Sequence, residues 1–293
     1  MKVGFIGLGA MGRPMALHLQ AAGHELHVWA RRLASCAGLP ATVHASPAEL
    51  GAACEVVFTV ITSSADVEGV ALGDNGLIHG MAAGSVLVDC STIAPDVARR
   101  IAGQLAEKGI HMLDAPVSGG EQGAKDATLA IMAGGDAAVL ERVRPLLKKL
   151  GQRIVHIGPN GAGQVAKACN QMIMVAAIEA VAEAMHLSAA AGVDPAKVKQ
   201  ALAGGSAGSR VLEIMGQRMV DRDFSAGIEA RLHHKDFGLV LEAARQSGVP
   251  VALTASVAQQ LNALMALGFG KDDTSSLLRV LEANSPRTAD TPR

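Results

Sequence analysis

Val3-Gly4-Phe5-Ile6-Gly7-Leu8-Gly9-Ala10-Met11-Gly12 is the stretch on which the fold turns. A short apolar run of strand type leads into three glycines spaced GxGxxG, and Arg13–Ala22 then carries an amphipathic helical pattern. In a strand–turn–helix unit the first glycine permits the tight turn. The second lets a pyrophosphate approach the backbone, the third lets helix pack on strand, and the phosphate lies at the helix N-terminus. A chain with 33 glycines yields chance matches, so an ordinary glycine turn and a methyltransferase-type loop are the alternatives. The placement, directly after the first strand and at the opening of a helix, favours a dinucleotide loop built from Gly7, Leu8, Gly9, Ala10, Met11 and Gly12.

Further along, apolar and partly β-branched runs recur at Leu26–Trp29, Val56–Ile61, Val86–Asp89, Met112–Ala115, Leu129–Met132 and Ile154–Ile157, with amphipathic stretches such as Ala94–Lys108 between them. Strand alternating with helix predicts an α/β domain, a Rossmann-like, doubly wound parallel sheet with helices on both faces. From about residue 162 the strand-like runs largely stop. Helical spacing predicts helices over Gln164–Ala191, Pro195–Ala203, Arg210–Val220, Leu232–Gln246, Val251–Leu267 and Thr274–Glu282. The expected division is a dinucleotide-binding domain at 1–161, an all-α domain at 162–284 and a frayed tail at 285–293. A helix continuous across the boundary, beside an interdomain cleft, is expected to join the halves.

Composition narrows the function classes. At 293 residues and 49% hydrophobic, the chain supports about two folded domains. Lys+Arg 26 against Asp+Glu 27 leaves no basic excess for a phosphate backbone, and aromatics at 2% offer few stacking platforms, so no nucleic-acid partner is expected. The four cysteines form no CxxC pair and there is no HExxH, so neither a disulfide framework nor a bound metal is expected. Met172–Val193 is the most apolar long segment, but it carries Glu179, Glu183 and His186, and no membrane span is expected. The N-terminus reads poorly as a signal peptide, and a cytoplasmic location is expected.

Four stretches carry chemistry. The second strand ends Trp29-Ala30-Arg31-Arg32, without the acidic residue that takes a ribose 2′-hydroxyl in NAD sites. Guanidinium forks suit a 2′-phosphate, so Arg31 and Arg32 point to NADP(H) over NAD(H), with a merely solvated Arg32 as the alternative. Asp89-Cys90-Ser91-Thr92-Ile93-Ala94-Pro95 ends one strand and opens a helix. Asp114-Ala115-Pro116-Val117-Ser118-Gly119-Gly120 ends another with a hydroxyl and two bare amides, a nest able to hold a carboxylate. Gly161-Ala162-Gly163 then leads into Lys167-Ala168-Cys169-Asn170-Gln171, where Lys167, Asn170 and Gln171 fall on one helix face.

These motifs, taken in order with His234-Lys235-Asp236, resemble the β-hydroxyacid dehydrogenase family over about Lys2 to Asn284. Gly204–Leu212 and Leu232–Asp236 are most similar to the members that reduce tartronate semialdehyde (2-hydroxy-3-oxopropionate). The resemblance implies an NADP(H)-preferring oxidoreductase that interconverts a small β-hydroxy acid and its semialdehyde. A 3-hydroxyisobutyrate dehydrogenase, a short-chain semialdehyde or glyoxylate reductase, and a non-catalytic cofactor-binding scaffold are the alternatives. It implies Lys167 as the catalytic acid/base, Ser118, Gly119 and Gly120 as carboxylate binders, and Asn170 as a substrate-orienting residue. Gln171 stands where many relatives carry a second Asn. Thr92 and Lys235 would lie against the cofactor, with a plain Lys235–Asp236 ion pair as the alternative for the latter. Ala30 stands where Asn or Asp often precedes the arginine. A homodimer or homotetramer is expected. Hydride delivery to a carbonyl builds negative charge on oxygen, which a positioned ammonium neutralises by giving up a proton.

Overall fold

In the computed structural model, which describes residues 1–285, the chain divides into two compact units, Met1–Lys167 and a second from Ala168 onward. The first unit contains strands β1 (Lys2–Ile6), β2 (Glu25–Trp29), β3 (Thr42–Val43), β4 (Val56–Thr59), β5 (Val86–Asp89), β6 (His111–Asp114), β7 (Val117–Ser118), β8 (Leu129–Gly134) and β9 (Gly151–Gly158). Its helices are α1 (Gly12–Ala21), α2 (Pro47–Ala53), α3 (Ser64–Leu72), α4 (Pro95–Ala106), α5 (Gly120–Lys125) and α6 (Ala137–Leu147). Helix α7 (Ala162–Ala190) begins in the first unit and continues into the second.

Six strands run parallel in the order β3-β2-β1-β4-β5-β6, the order of a dinucleotide-binding Rossmann sheet. The sheet is then extended by strands of the opposite sense. β8 pairs antiparallel with β6 through Asp114 and Gly134, β7 lies antiparallel to β8, and β9 is parallel to β8. An apolar run carries no mark of its direction, so this reversal was not visible in the sequence.

The runs of β1, β4 and β5 are buried because both faces are covered, whereas β9 leaves Val155 and Ile157 exposed. Alternate residues feed two separate cores. Val56, Phe58, Val86 and Val88 pack with Met15 and Leu19 of α1 and with Val139 and Leu140 of α6. Val57 and Leu87 pack on the other face with Leu50 of α2, Val67 of α3 and Ile101 of α4. The period of two along β4 and β5 therefore sorts the helices onto opposite sides of the sheet. Phe5 stacks on Phe58 with centroids 6.0 Å apart at the centre of the first core.

Beyond α7 the second unit is helical, with α8 (Pro195–Ala203), α9 (Arg210–Asp221), α10 (Ala230–Gln246), α11 (Ala252–Ala266) and α12 (Leu277–Asn284). Its core joins Val175, Ile178, Ala182 and Met185 of α7 to Leu212, Phe237, Leu261 and Leu277. Among the described residues only α7 is long and apolar enough to cross a membrane, and its inward side chains are this core. Ser285 donates to the Leu281 carbonyl at 2.9 Å. The remainder of the tail expected to fray lies outside the described residues.

Candidate active site

The glycine loop follows β1 at the point where the strand order reverses between β1 and β4, the crevice in which such sheets bind ligands. Gly7 takes φ +96°, and a Cβ there would stand 2.1 Å from the Val60 carbonyl oxygen; one at Gly12 would stand 1.8 Å from the Gly7 oxygen. The fold itself demands both. Around Gly9 a Cβ would meet nothing within 4 Å, so this glycine faces open space. Met11, at the N-cap of α1, makes no side-chain cap, and the first turn holds no acidic residue. Bare amides, the positive end of a helix and an open glycine suit a pyrophosphate. Leu8 is buried beneath the loop, while Gly9 and Ala10 are exposed.

Arg31 and Arg32 follow the end of β2 and are both exposed. Arg13 of α1 fastens the segment behind them, donating to the carbonyls of Ser35 at 3.1 Å and Ala37 at 2.8 Å. The Arg31 guanidinium reaches the Asp66 carboxylate on α3 at 3.2 Å.

The start of α7 ties three loops together. The Asp114 carboxylate, at the end of β6, accepts from the Gly161 N–H at 2.7 Å and the Gln164 N–H at 3.1 Å, so a residue some fifty positions earlier caps the helix. Gly134 and Gly163 make room for it, since a Cβ on either would fall within 3 Å of the carboxylate. Burial pushes the Asp114 carboxyl up, and these amide bonds oppose the rise. The Gln164 side chain donates to the Ser91 carbonyl at 2.9 Å and accepts from the Ile93 N–H at 3.1 Å, gripping the loop that carries Thr92 from both sides. Beneath that loop, burial raises the Asp89 carboxyl, against the Ser91 N–H and the Thr59 hydroxyl that donate to it.

One turn beyond Gln164, Lys167 is only 7% exposed, and its ammonium donates to the Val117 carbonyl at 2.9 Å. The next residue is Ser118. Gly119 then takes φ +138° and Gly120 φ +64° at the opening of α5, a backbone that L side chains rarely adopt. Thr92, Ser118 and Lys167 are thus linked through the first turns of one helix, whereas Arg31 and Arg32 sit apart at the end of β2.

In the second unit Asn170 donates to the Gln171 amide oxygen at 2.8 Å, and Gln171 donates to Asp236 at 2.6 Å. Lys235 reaches the other Asp236 oxygen at 2.9 Å, so the ion pair weighed for it is present. His233 is buried and bonded to Thr274 at 2.7 Å, which makes it a packing residue. Asp114, Gln164 and Asp66 take roles that the sequence did not assign, and Asp236 gains Gln171 as a partner beyond the Lys235 pair. Apart from Ser63 with Asp66 and Lys235 with Asp236, their partners are 35 to 73 residues away, and no local spacing announces such pairs. Among the described residues no group of three His, Cys, Asp or Glu side chains is arranged to hold a metal ion.

A family model described as the NAD binding domain of 6-phosphogluconate dehydrogenase matches residues 2–158. A second, described as the NAD-binding of NADP-dependent 3-hydroxyisobutyrate dehydrogenase, matches residues 161–281. The 2-hydroxy-3-oxopropionate reductase of Escherichia coli (strain K12) is 44% identical over 287 residues, 96% of this chain and 97% of its own length. The NAD-dependent L-serine dehydrogenase of Pseudomonas aeruginosa is 38% identical over 96% of this chain and 98% of its own. A solved structure of Mycobacterium tuberculosis 3-hydroxyisobutyrate dehydrogenase with L-serine superposes with a TM-score of 0.88 at 30% identity, covering 96% of this chain and 98% of that one.

Proposed function

The chain belongs to the 3-hydroxyisobutyrate dehydrogenase-like β-hydroxyacid dehydrogenases and is an NAD(P)-binding oxidoreductase; from that premise we propose that it reduces tartronate semialdehyde to glycerate, with NADP(H) as the preferred coenzyme and Lys167 as the acid/base. The observation that carries this reading is the buried Lys167 ammonium, bonded to the carbonyl immediately before Ser118. The dinucleotide supplies the hydride. Lys167 transfers a proton from its Nζ to the carbonyl oxygen as the negative charge develops there, and regains one from solvent afterwards. Ser118 and the amides of Gly119 and Gly120 hold the substrate carboxylate, while Asn170 and Gln171 orient it. On the coenzyme side, the loop Gly7–Gly12 takes the pyrophosphate, Arg31 and Arg32 the 2′-phosphate, and Thr92 and Lys235 the remaining contacts.

Steady-state rates with tartronate, methylmalonate and succinic semialdehydes and with glyoxylate, each with NADPH and NADH, test the substrate. The highest kcat/KM is expected for tartronate semialdehyde with NADPH. A maximum for methylmalonate semialdehyde would make the enzyme a 3-hydroxyisobutyrate dehydrogenase, and turnover of none would favour a scaffold. Lys167→Ala should lower kcat by about 10²–10⁴-fold with coenzyme binding retained. Lys167→Arg should not restore it, because a guanidinium hardly releases its proton. Near-wild-type kcat in a folded, coenzyme-binding Lys167→Ala enzyme would remove the assignment. We further assign the enzyme to the cytoplasm and to a homodimer or homotetramer, the latter checked by light scattering.

A further inference from the structure

At the end of β2 the sequence lacks an acidic residue, but the fold supplies one from another element. Asp66 lies on α3, 35 positions from Arg31, and its Oδ1 accepts from Arg31 Nη1 at 3.2 Å. Its own orientation is set beforehand. The Ser63 hydroxyl caps α3 by accepting the Asp66 N–H at 3.1 Å and donates to Asp66 Oδ2 at 2.7 Å, which directs Oδ1 toward Arg31. The Asp66 side chain is 37% exposed and Arg31 83%, so the carboxylate is the fixed member of the pair and the guanidinium the movable one.

We propose that Asp66 sets the strength of coenzyme discrimination, by holding Arg31 in an ion pair that a 2′-phosphate must break and by standing as a like charge beside that phosphate. The inference rests on the assignment of Arg31 to the 2′-phosphate. A coenzyme lacking that phosphate leaves the pair intact. One that carries it must draw the guanidinium away and leave the carboxylate unneutralised. Asp66 therefore trims the preference for NADP(H) that Arg31 confers and keeps NAD(H) usable. Exposed ion pairs are weak, so the effect is modest and salt-sensitive.

The test uses two fragments of the coenzymes, adenosine 2′,5′-bisphosphate and 5′-AMP, titrated calorimetrically into the intact enzyme at low ionic strength. In Asp66→Asn the bisphosphate Kd is expected to fall by about two- to fivefold. The AMP Kd should stay within about twofold, and the gain should shrink in about 0.5 M salt as screening sets in. In the Arg31→Ala background the same Asp66→Asn substitution should give a smaller gain, since only the like charge, and no ion pair, is then removed. Asp66→Gln, which moves the polar group outward without charge, should repeat the gain, and thermal melts check that both variants fold. Bisphosphate affinity that is unchanged or lowered in both Asp66 variants would overturn the proposal. So would a loss of AMP affinity, which would make Asp66 the acceptor of the ribose hydroxyl. If Arg31→Ala alone weakens the bisphosphate while both Asp66 variants bind like wild type, Asp66 falls and Arg31 stands. If Arg31→Ala leaves the bisphosphate untouched, the 2′-phosphate assignment falls as well.

Discussion

Alanine at Gly9 and alanine at Gly7 add the same methyl group to one loop with opposite consequences. At Gly7 the new Cβ would collide with the Val60 carbonyl in a left-handed backbone, so Gly7→Ala should lose the fold. At Gly9 it would meet no protein atom within 4 Å. Gly9→Ala should therefore keep the wild-type Tm and, on the proposed placing of the pyrophosphate in that space, bind coenzyme more weakly, on the order of tenfold. Scanning fluorimetry with and without NADPH separates the two. Wild-type affinity in Gly9→Ala would mean that the loop holds no pyrophosphate. At this scale the glycines were legible because backbone demands are written locally. Asp66 was not, since nothing near Ser63–Asp66 marks a partner just past the end of β2.

Among the elements, the start of α7 decides where Lys167, the proposed proton donor, stands. Asp114 accepts two of its free amides with two separate oxygens. Asn at this position has a single acceptor oxygen and would turn an amino group toward the second N–H. Asp114→Asn is expected to cost about 0.5–2 kcal/mol, the range for a lost helix cap, and to lower kcat more than it raises the coenzyme Kd, since Lys167 lies one turn further on. A variant with full kcat and lowered stability would leave Asp114 a purely structural cap. Helix α7 and most of the strands were legible from periodicity, and Pro195–Ala203 and Val86–Asp89 fall where the sequence placed them. β3 and β7 were not, for strands of two residues have no period. Helix α2 did leave a signal. Ser46 caps the Glu49 N–H while Glu49 accepts the Ala45 N–H, and the pattern Ser-x-x-Glu announces such a start. The Ser118 nest was legible as a motif, but its tie to Lys167 spans 50 residues and only the fold reveals it.

For the molecule as a whole, the buried titratable groups set an unusual dependence of stability on pH. Glu179, on the inner face of α7, has both carboxylate oxygens buried without a hydrogen-bond partner, and burial, aided by the charge of Glu183, pushes it up to about 7. Asp89 and Asp114 are raised by burial as well. An acid whose folded value lies above its unfolded one stabilises the native state fully below the unfolded value and loses that contribution as pH rises through the folded one. For Glu179 the window runs from about 4.5 to about 7. His24 and His44 work in the other direction. Burial lowers both, helped by the N-terminal ammonium and Lys149 for the first and by His27 for the second, so their contribution is lost as pH falls below about 6.5. The Glu179 contribution should accordingly fall between about pH 4.5 and 7 and be gone by pH 8, where the carboxylate is charged without a partner. Glu179→Gln keeps the shape and removes the charge. At pH 8 it should raise Tm by about 2–6 °C, corresponding to an effect on the order of 1–2 kcal/mol, and the gap should close toward pH 5, where both chains are neutral at this position. Melting curves of the two proteins at pH 5, 6, 7 and 8 read this directly. A gap that is constant across that range would show that the substitution acts through packing, and that the Glu179 carboxyl does not titrate in the folded chain.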